Sequence, residues 1–291
     1  MGQGMEFSVI YLVISSAIFM VMLVVGLSQQ KEGYIFVQKH SRIFIIGLSM
    51  QLIGLPSAAY IICKIFDIPD IFATGLILMS LSPCGASCSA MCLFMGARTE
   101  LSLCLTSFTS LFAFITIPIG THILLGDSLP LQASDIVRQL VFVLVVPICL
   151  GAAIRRFFPE IIVKLLPRLR PYALLLLIVI FIFILFDNLA ELIQAFEVLF
   201  LPCLALSVSA FILPRYFAEL LGTDKLSAKT IGVQVGMQNG ATALAVIITS
   251  PALTLSAISV AYYSVFAFLI SFLLIYFWGE KSKPRVLESR N

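Results

Sequence analysis

Charge is what this sequence has least of. Of its 291 residues, 18 are Lys or Arg and 15 are Asp or Glu, 11% in all, against 60% hydrophobic. A soluble domain carries about twice that charged share, so water could not solvate this surface and the solvent must be lipid. The shortages go further. Histidine occurs only as His40 and His122. No paired Asp, Ser–His pair or His-Glu-x-x-His run appears, which leaves an intramembrane enzyme without its reactive constellation. No Asp or Glu falls in the middle of an apolar run, since Glu6, Glu191, Glu197 and Glu100 all sit near ends. A carboxylate proton relay therefore has no groups to run through. His122 is the one histidine inside an apolar run; such a side chain can titrate near neutral pH, but it stands alone near the run's end. Apolar–polar alternation over ~10 residues, the mark of a membrane β-barrel, is missing from Ile10–Val25 and Tyr172–Phe186. The net charge of +3 offers no basic surface for nucleic acid.

The seven cysteines (Cys63, Cys84, Cys88, Cys92, Cys104, Cys149, Cys203) all lie in apolar stretches. There a thiol is a small filler rather than half of a disulfide framework. The N-terminus has no Lys or Arg before its first apolar run and no small-residue cleavage site. Residues 5–27 are expected to remain as a span, not to be removed as a signal peptide.

What is present is a series of nine hydrophobic segments, at about 5–27, 41–66, 70–97, 101–125, 134–155, 172–188, 192–216, 226–249 and 253–278. Each approaches or exceeds the ~20 residues that cross a bilayer. Basic residues fall in alternate loops: Lys31, Lys39 and Arg42; Arg98; Arg155, Arg156, Lys164, Arg168 and Arg170; Arg215, Lys225 and Lys229; and the tail Lys281, Lys283, Arg285 and Arg290. The intervening loops, such as Asp67–Asp70 and Asp127–Asp135, have none. Because Lys and Arg mark cytoplasmic loops, the N-terminus is expected outside and the C-terminus inside. The expectation is an all-α polytopic protein of nine transmembrane helices, a single transporter domain over 1–291 with a cytoplasmic tail at 280–291. It would lie in a bacterial inner membrane or a plasma membrane, with the oligomeric state open and a monomer one option. The basic, amphipathic stretch 157–170 reads either as an interfacial helix or as a plain connector.

Two segments are interrupted. The third carries Pro83 and Gly85 amid Ser80, Ser82, Ser87 and Ser89; the eighth carries Gln234, Gln238 and Asn239 beside Gly232, Gly236 and Gly240. Pro removes a donor, Gly weakens the helix, and unwound backbone at membrane depth survives only where it is buried in protein or lines a cavity. Paired breaks in corresponding positions of two halves point to a transporter's midplane site. One hairpin partner follows each break, which divides the chain into an inverted repeat of four and five helices, about 1–126 and 127–279. Tight packing of small residues is the competing reading for the third segment. It is weaker for the eighth, where three amide side chains would be costly in lipid.

These residues resemble the bile acid:sodium symporter family. Val235-Gly236-Met237-Gln238-Asn239 matches its second broken helix; Pro83–Arg98, then Leu101-Ser102 and Leu105-Thr106, its first; Gln51, five residues before Pro56, a preceding position. The resemblance covers residues 51–239. It implies two crossing broken helices in a core domain, with a panel domain moving against it in alternating access. It also implies sodium as coupling ion at two sites, one around Cys88, Ser89, Ser102, Thr106 and Gln234, the other at Gln51, Gln234, Val235, Met237 and Gln238. A small organic solute, often an anion, would meet Ala86, Asn239 and Gly240. No other cofactor is implied.

Three residues depart from the family pattern. Its Ser-Asn pair is here Cys88-Ser89, and its acidic residue before Gly-Met-Gln-Asn is Gln234. A thiol is a poor ligand for a hard cation, and an amide lacks the carboxylate's charge, so sodium coupling is expected to be weakened or lost. Cys84, Cys88 and Cys92, spaced by four, raise the alternative of a metalloid efflux carrier of the arsenite type; three small fillers on a packed face is the competing reading. Tyr262, Tyr263 and Phe266 are candidate cavity aromatics, with core packing as the alternative.

Overall fold

The computed structural model describes residues 2–28, 38–85, 87–126, 133–187, 189–248 and 250–279. Lys31, Ala86, Asp127 and the tail residues Lys281, Lys283, Arg285 and Arg290 lie outside the described residues.

Regular structure among the described residues is entirely helical. Helix α1 is Gly2–Leu27. Helix α2 runs Ser41–Ile65 and contains a π-turn, Met50–Gly54. Helices α3 (Asp70–Leu81) and α4 (Cys88–Phe94) are the halves of one interrupted segment. Helix α5 is Thr99–Leu125. Helix α6 joins Ala133–Leu140, a second π-turn Val141–Val145 and Val146–Phe157. Helices α7 (Pro159–Asp187) and α8 (Leu189–Leu220) follow. The second interrupted segment is α9 (Lys225–Gly236) with α10 (Gly240–Ile247), and α11 is Ser256–Trp278. Among the described residues, five helices are long and apolar enough to cross a membrane: Ser41–Ile65, Thr99–Leu125, Ile136–Phe157, Leu189–Leu220 and Ser256–Trp278.

Helices dominate because lipid offers no partner to a backbone amide, so each segment must satisfy its own. The prolines set the exceptions. Each π-turn ends two residues before a proline, Pro56 or Pro147. A proline ring crowds the carbonyl four residues earlier, and that residue lies inside the widened turn in both cases.

The polarity is that of a membrane solvent. Ile123, Phe142 and Ile53 are 72%, 68% and 66% exposed, while Gln234 and Gln51 are 0% and 1% exposed. This is an integral multi-pass membrane protein: many large apolar side chains face out, while the amides of Gln51 and Gln234 face in.

Helix α1 lies on α6 at backbone contact. A Cβ on Gly26 would stand 2.3 Å from Ile148 O, and one on Gly151 2.5 Å from Leu23 O. Arg155 Nη1 donates to Leu27 O at 2.7 Å and closes the end of α1.

Of the stretch 157–170, residues 159–170 open α7, and the helix continues into the apolar segment despite Pro167 and Pro171. Ile162 and Leu166 bury against Leu27, which gives the amphipathic face a protein partner. His122 is exposed near the end of α5.

Candidate functional site

The first break begins where α3 reaches Ser82, which is extended at φ −66°, ψ 150°. The residue before a proline is pushed out of the helical region, and Pro83 has no N–H to continue the ladder. The second break begins at Met237 (φ −101°, ψ 82°), and α10 restarts after Asn239, whose side chain accepts from Ala241 N at 3.1 Å as an N-cap.

Each break satisfies the other. Gly85 N donates to Met237 O at 3.0 Å, and Asn239 N donates to Pro83 O at 2.8 Å. Cys84 and Gln238 thereby form an isolated antiparallel bridge. Tyr263, fully buried on α11, donates its hydroxyl to Gly236 O at 2.9 Å and closes the last turn of α9. Two unwound stretches that would each be untenable alone in hydrocarbon are stable as a pair.

Two amide clusters flank this junction. In the first, Gln234 Oε1 accepts from the Cys88 thiol at 3.1 Å and from the Ser102 hydroxyl at 3.0 Å, and Gln234 Nε2 donates to Thr106 Oγ1 at 2.9 Å. Ser102 Oγ lies 3.3 Å from Ser89 Oγ and 3.7 Å from Cys88 Sγ. Helices α4, α5 and α9 meet through these five residues, all five buried or half-buried. In the second, Gln51 sits in the π-turn of α2. Its Nε2 donates to Ser82 O at 3.1 Å and to Gln238 Oε1 at 2.9 Å, while Gln238 Nε2 donates to Gln51 Oε1 at 3.2 Å and to Val235 O at 2.6 Å. The widened turn projects Gln51 toward the break, a role π-turns often have at functional sites.

Gln51, Val235 and Gln238 are thus together, and Cys88, Ser89, Ser102, Thr106 and Gln234 are together. Gln234 directs its amide into the first cluster only. Met237 enters through its carbonyl, which the Gly85 amide engages. Asn239 and Gly240 open α10, both buried.

Both clusters offer oxygens suited to a hard cation. The second presents Gln51 Oε1, Gln238 Oε1, Ser82 O and Val235 O. The first presents hydroxyls and one amide oxygen but includes the Cys88 thiol, and the Gln234 amide nitrogen donates to one of those hydroxyls. None of the side chains in either cluster is a carboxylate.

Among the described residues no group of three or more His, Cys, Asp or Glu side chains could hold a metal ion. The metalloid reading of Cys84, Cys88 and Cys92 thus has no such cage to rest on. Tyr262 and Phe266 pack against α8: Tyr262 donates to Leu192 O at 3.0 Å, and Phe266 meets Phe200 edge-on at 5.3 Å. Ser82 O and the capping role of Tyr263 escape a reading by residue type, because one is a backbone carbonyl and the other depends on tertiary packing.

Beyond the junction, Asp224 caps α9 by accepting from Leu226 N and Ser227 N at 3.2 Å, and it pairs with Arg98 at 3.3 Å. Arg98 N donates to Thr230 Oγ1 at 2.8 Å, so the turn after α4 is tied to the start of α9. Partial burial pushes the Asp224 carboxyl up, but hydrogen bonds from Ser227 and the charge of Arg98 outweigh it and hold the group below its ordinary value.

The chain is 26% identical over 294 aligned positions to the "Uncharacterized sodium-dependent transporter YocS" of Bacillus subtilis, covering 99% of this chain and 91% of that protein. It is 24% identical over 242 positions to a "Probable sodium/metabolite cotransporter" of the Arabidopsis thaliana chloroplast, covering 83% of this chain but 60% of that one. To the "P3 protein" of mouse it is 24% identical over 208 positions, 70% of this chain and 44% of that one. The chain therefore spans less than two thirds of the length of the plant and mouse relatives. The profile of the sodium bile acid symporter family matches residues 15–195. That match takes in more than half of the sequence, the first break and Gln51 included, and the chain belongs to this family of membrane transporters.

Proposed function

We propose that the protein is a secondary transporter that moves a small organic solute, an organic anion in our reading, by alternating access. Helices α1, α6 and α7 form the moving panel, and the remaining helices form the core that holds the junction. The chain crosses the membrane nine times, N-terminus outside, as an inverted repeat of about 1–126 and 127–279. The observation that carries this reading is the mutual satisfaction of the two breaks, Gly85 to Met237 and Asn239 to Pro83. Paired interrupted helices at membrane depth are how such transporters expose polar backbone to cargo.

Sodium, as co-transported substrate, would be held by the oxygens of Gln51, Ser82, Val235 and Gln238. Its coupling is weakened because neither cluster carries negative charge to offset a buried cation. The Cys88 cluster loses sodium first, since its thiol is a poor ligand and the Gln234 amide already donates into Thr106.

Uptake of radiolabelled small carboxylates into proteoliposomes, under equal gradients of sodium or choline, tests both statements. Uptake of at least one acid that persists largely in choline is expected. Uptake of none would remove the anion reading, and strict dependence on sodium would remove the weakened coupling.

A further inference from the structure

We infer that Met22 is a specificity-determining residue: its thioether holds, in this closed conformation, the place at Asn239 that a solute's acceptor oxygen takes during transport. Asn239 has four groups that form hydrogen bonds here, and three are committed. Its backbone N–H bonds Pro83 O, its carbonyl accepts from Thr242 N at 3.0 Å, and its Oδ1 caps Ala241 N. The remaining Nδ2 faces Met22 Sδ at 3.9 Å. Asn239 is 6% exposed and Met22 1%, so the contact is buried in protein. A thioether is a weak acceptor, and a buried amide donor left with so poor a partner is costly. Three residues on, Thr242 carries a fully buried hydroxyl without a hydrogen-bond partner among the described residues. The start of α10 therefore holds donor capacity that the protein itself does not use.

This chemistry selects. A carboxylate or sulfonate offers a far stronger acceptor than sulfur and gains by displacing it, whereas a hydrocarbon or a purely donating group does not. Helix α1 is fixed to α6 at Gly26 and Gly151, while an unbranched methionine with three rotatable bonds can swing aside. Met22 thus closes the site and sets the acceptor strength a solute must exceed. The inference rests on Asn239 as the solute contact.

Hydrogen–deuterium exchange on the full chain in detergent, without solute, reads the contact through the backbone amides of Asn239 and Ala241, whose bonds to Pro83 O and Asn239 Oδ1 depend on how firmly the Asn239 side chain is held. Met22→Leu keeps the volume and loses the acceptor; Met22→Gln keeps the length and supplies a strong one. Exchange is expected to be faster in the first by less than about 5-fold, because only a weak acceptor is lost, and slower by about 5-fold in the second, the factor an ordinary hydrogen bond carries. Equal rates, or both variants shifted the same way, would show a packing role only and overturn the inference. A second arm measures thermal stabilisation by butyrate, succinate and citrate, with 1-butanol as control. The acid that stabilises the wild type should act at lower concentration on Met22→Leu and at higher concentration on Met22→Gln; unchanged concentrations would overturn the selectivity. If the exchange order holds and no acid binds any variant, the anion reading fails while the contact between Met22 and Asn239 stands.

Discussion

Gln234 shows how much one atom can decide. An amide keeps an oxygen for a cation but adds a nitrogen that must donate, and here it donates to Thr106. Gln234→Glu removes that donor and supplies a charge, so sodium-dependent thermal stabilisation should appear or steepen in this variant, read by melting in sodium against choline. No change would place the weakness elsewhere. Gln51→Ala leaves Gln238 with an unpaired buried oxygen and should cost about 1–3 kcal/mol of stability, measured by chemical or thermal unfolding. Asp224 lies outside the lipid, and its carboxyl is held below its ordinary value. Its contribution is present above the unfolded value near ~3.9 and is lost as pH falls through the lower folded value. Because its side chain is 42% exposed, the ion pair itself adds little. Asp224→Ala should cost about 1 kcal/mol through the lost cap, and the gap to wild type should close in melts taken toward pH 3. The amide residues were legible as a polar patch too costly for lipid. Their partners were not, because Ser82 O and Val235 O are backbone atoms placed by the second break.

The elements follow from proline and glycine more than from hydrophobicity. Pro83 and the Gly236–Gly240 run announce the breaks, and the structure interrupts α3–α4 and α9–α10 there. Pro167 and Pro171 carry the same signal but interrupt nothing, since α7 runs through both. The difference is partnership: a break at membrane depth needs a second break to satisfy it, and without one a proline is absorbed, as Pro118, Pro202 and Pro214 also are inside continuous helices. The opening of α7 was illegible for that reason. At α1 and α6 the decisive feature is contact distance. Gly151→Val would drive a side chain into Leu23 O, 2.5 Å from the Cβ position, and should cost at least ~1–3 kcal/mol. A melting point indistinguishable from wild type would mean that α1 and α6 do not pack as described.

The molecule as a whole is a transporter scaffold of the sodium bile acid symporter family in which neutral groups surround the junction. Family membership and the helical membrane architecture could be read ahead of the structure, from Gly-Met-Gln-Asn in register with Pro83 and Gln51. How the junction closes could not, because it depends on which helix lies over Asn239, and nothing in the α1 sequence distinguishes Met22 from its neighbours. Charge at this scale determines energy coupling. On the proposed reading, a sodium site built from neutral amides in a low dielectric would have little to hold the ion with. The most direct measurement is the ratio of sodium to solute flux in the same proteoliposomes, with labelled sodium and a labelled carboxylate followed together. The expected result is fewer than two sodium ions per solute, rising in Gln234→Glu. Two tightly coupled ions per solute in the wild type would contradict it.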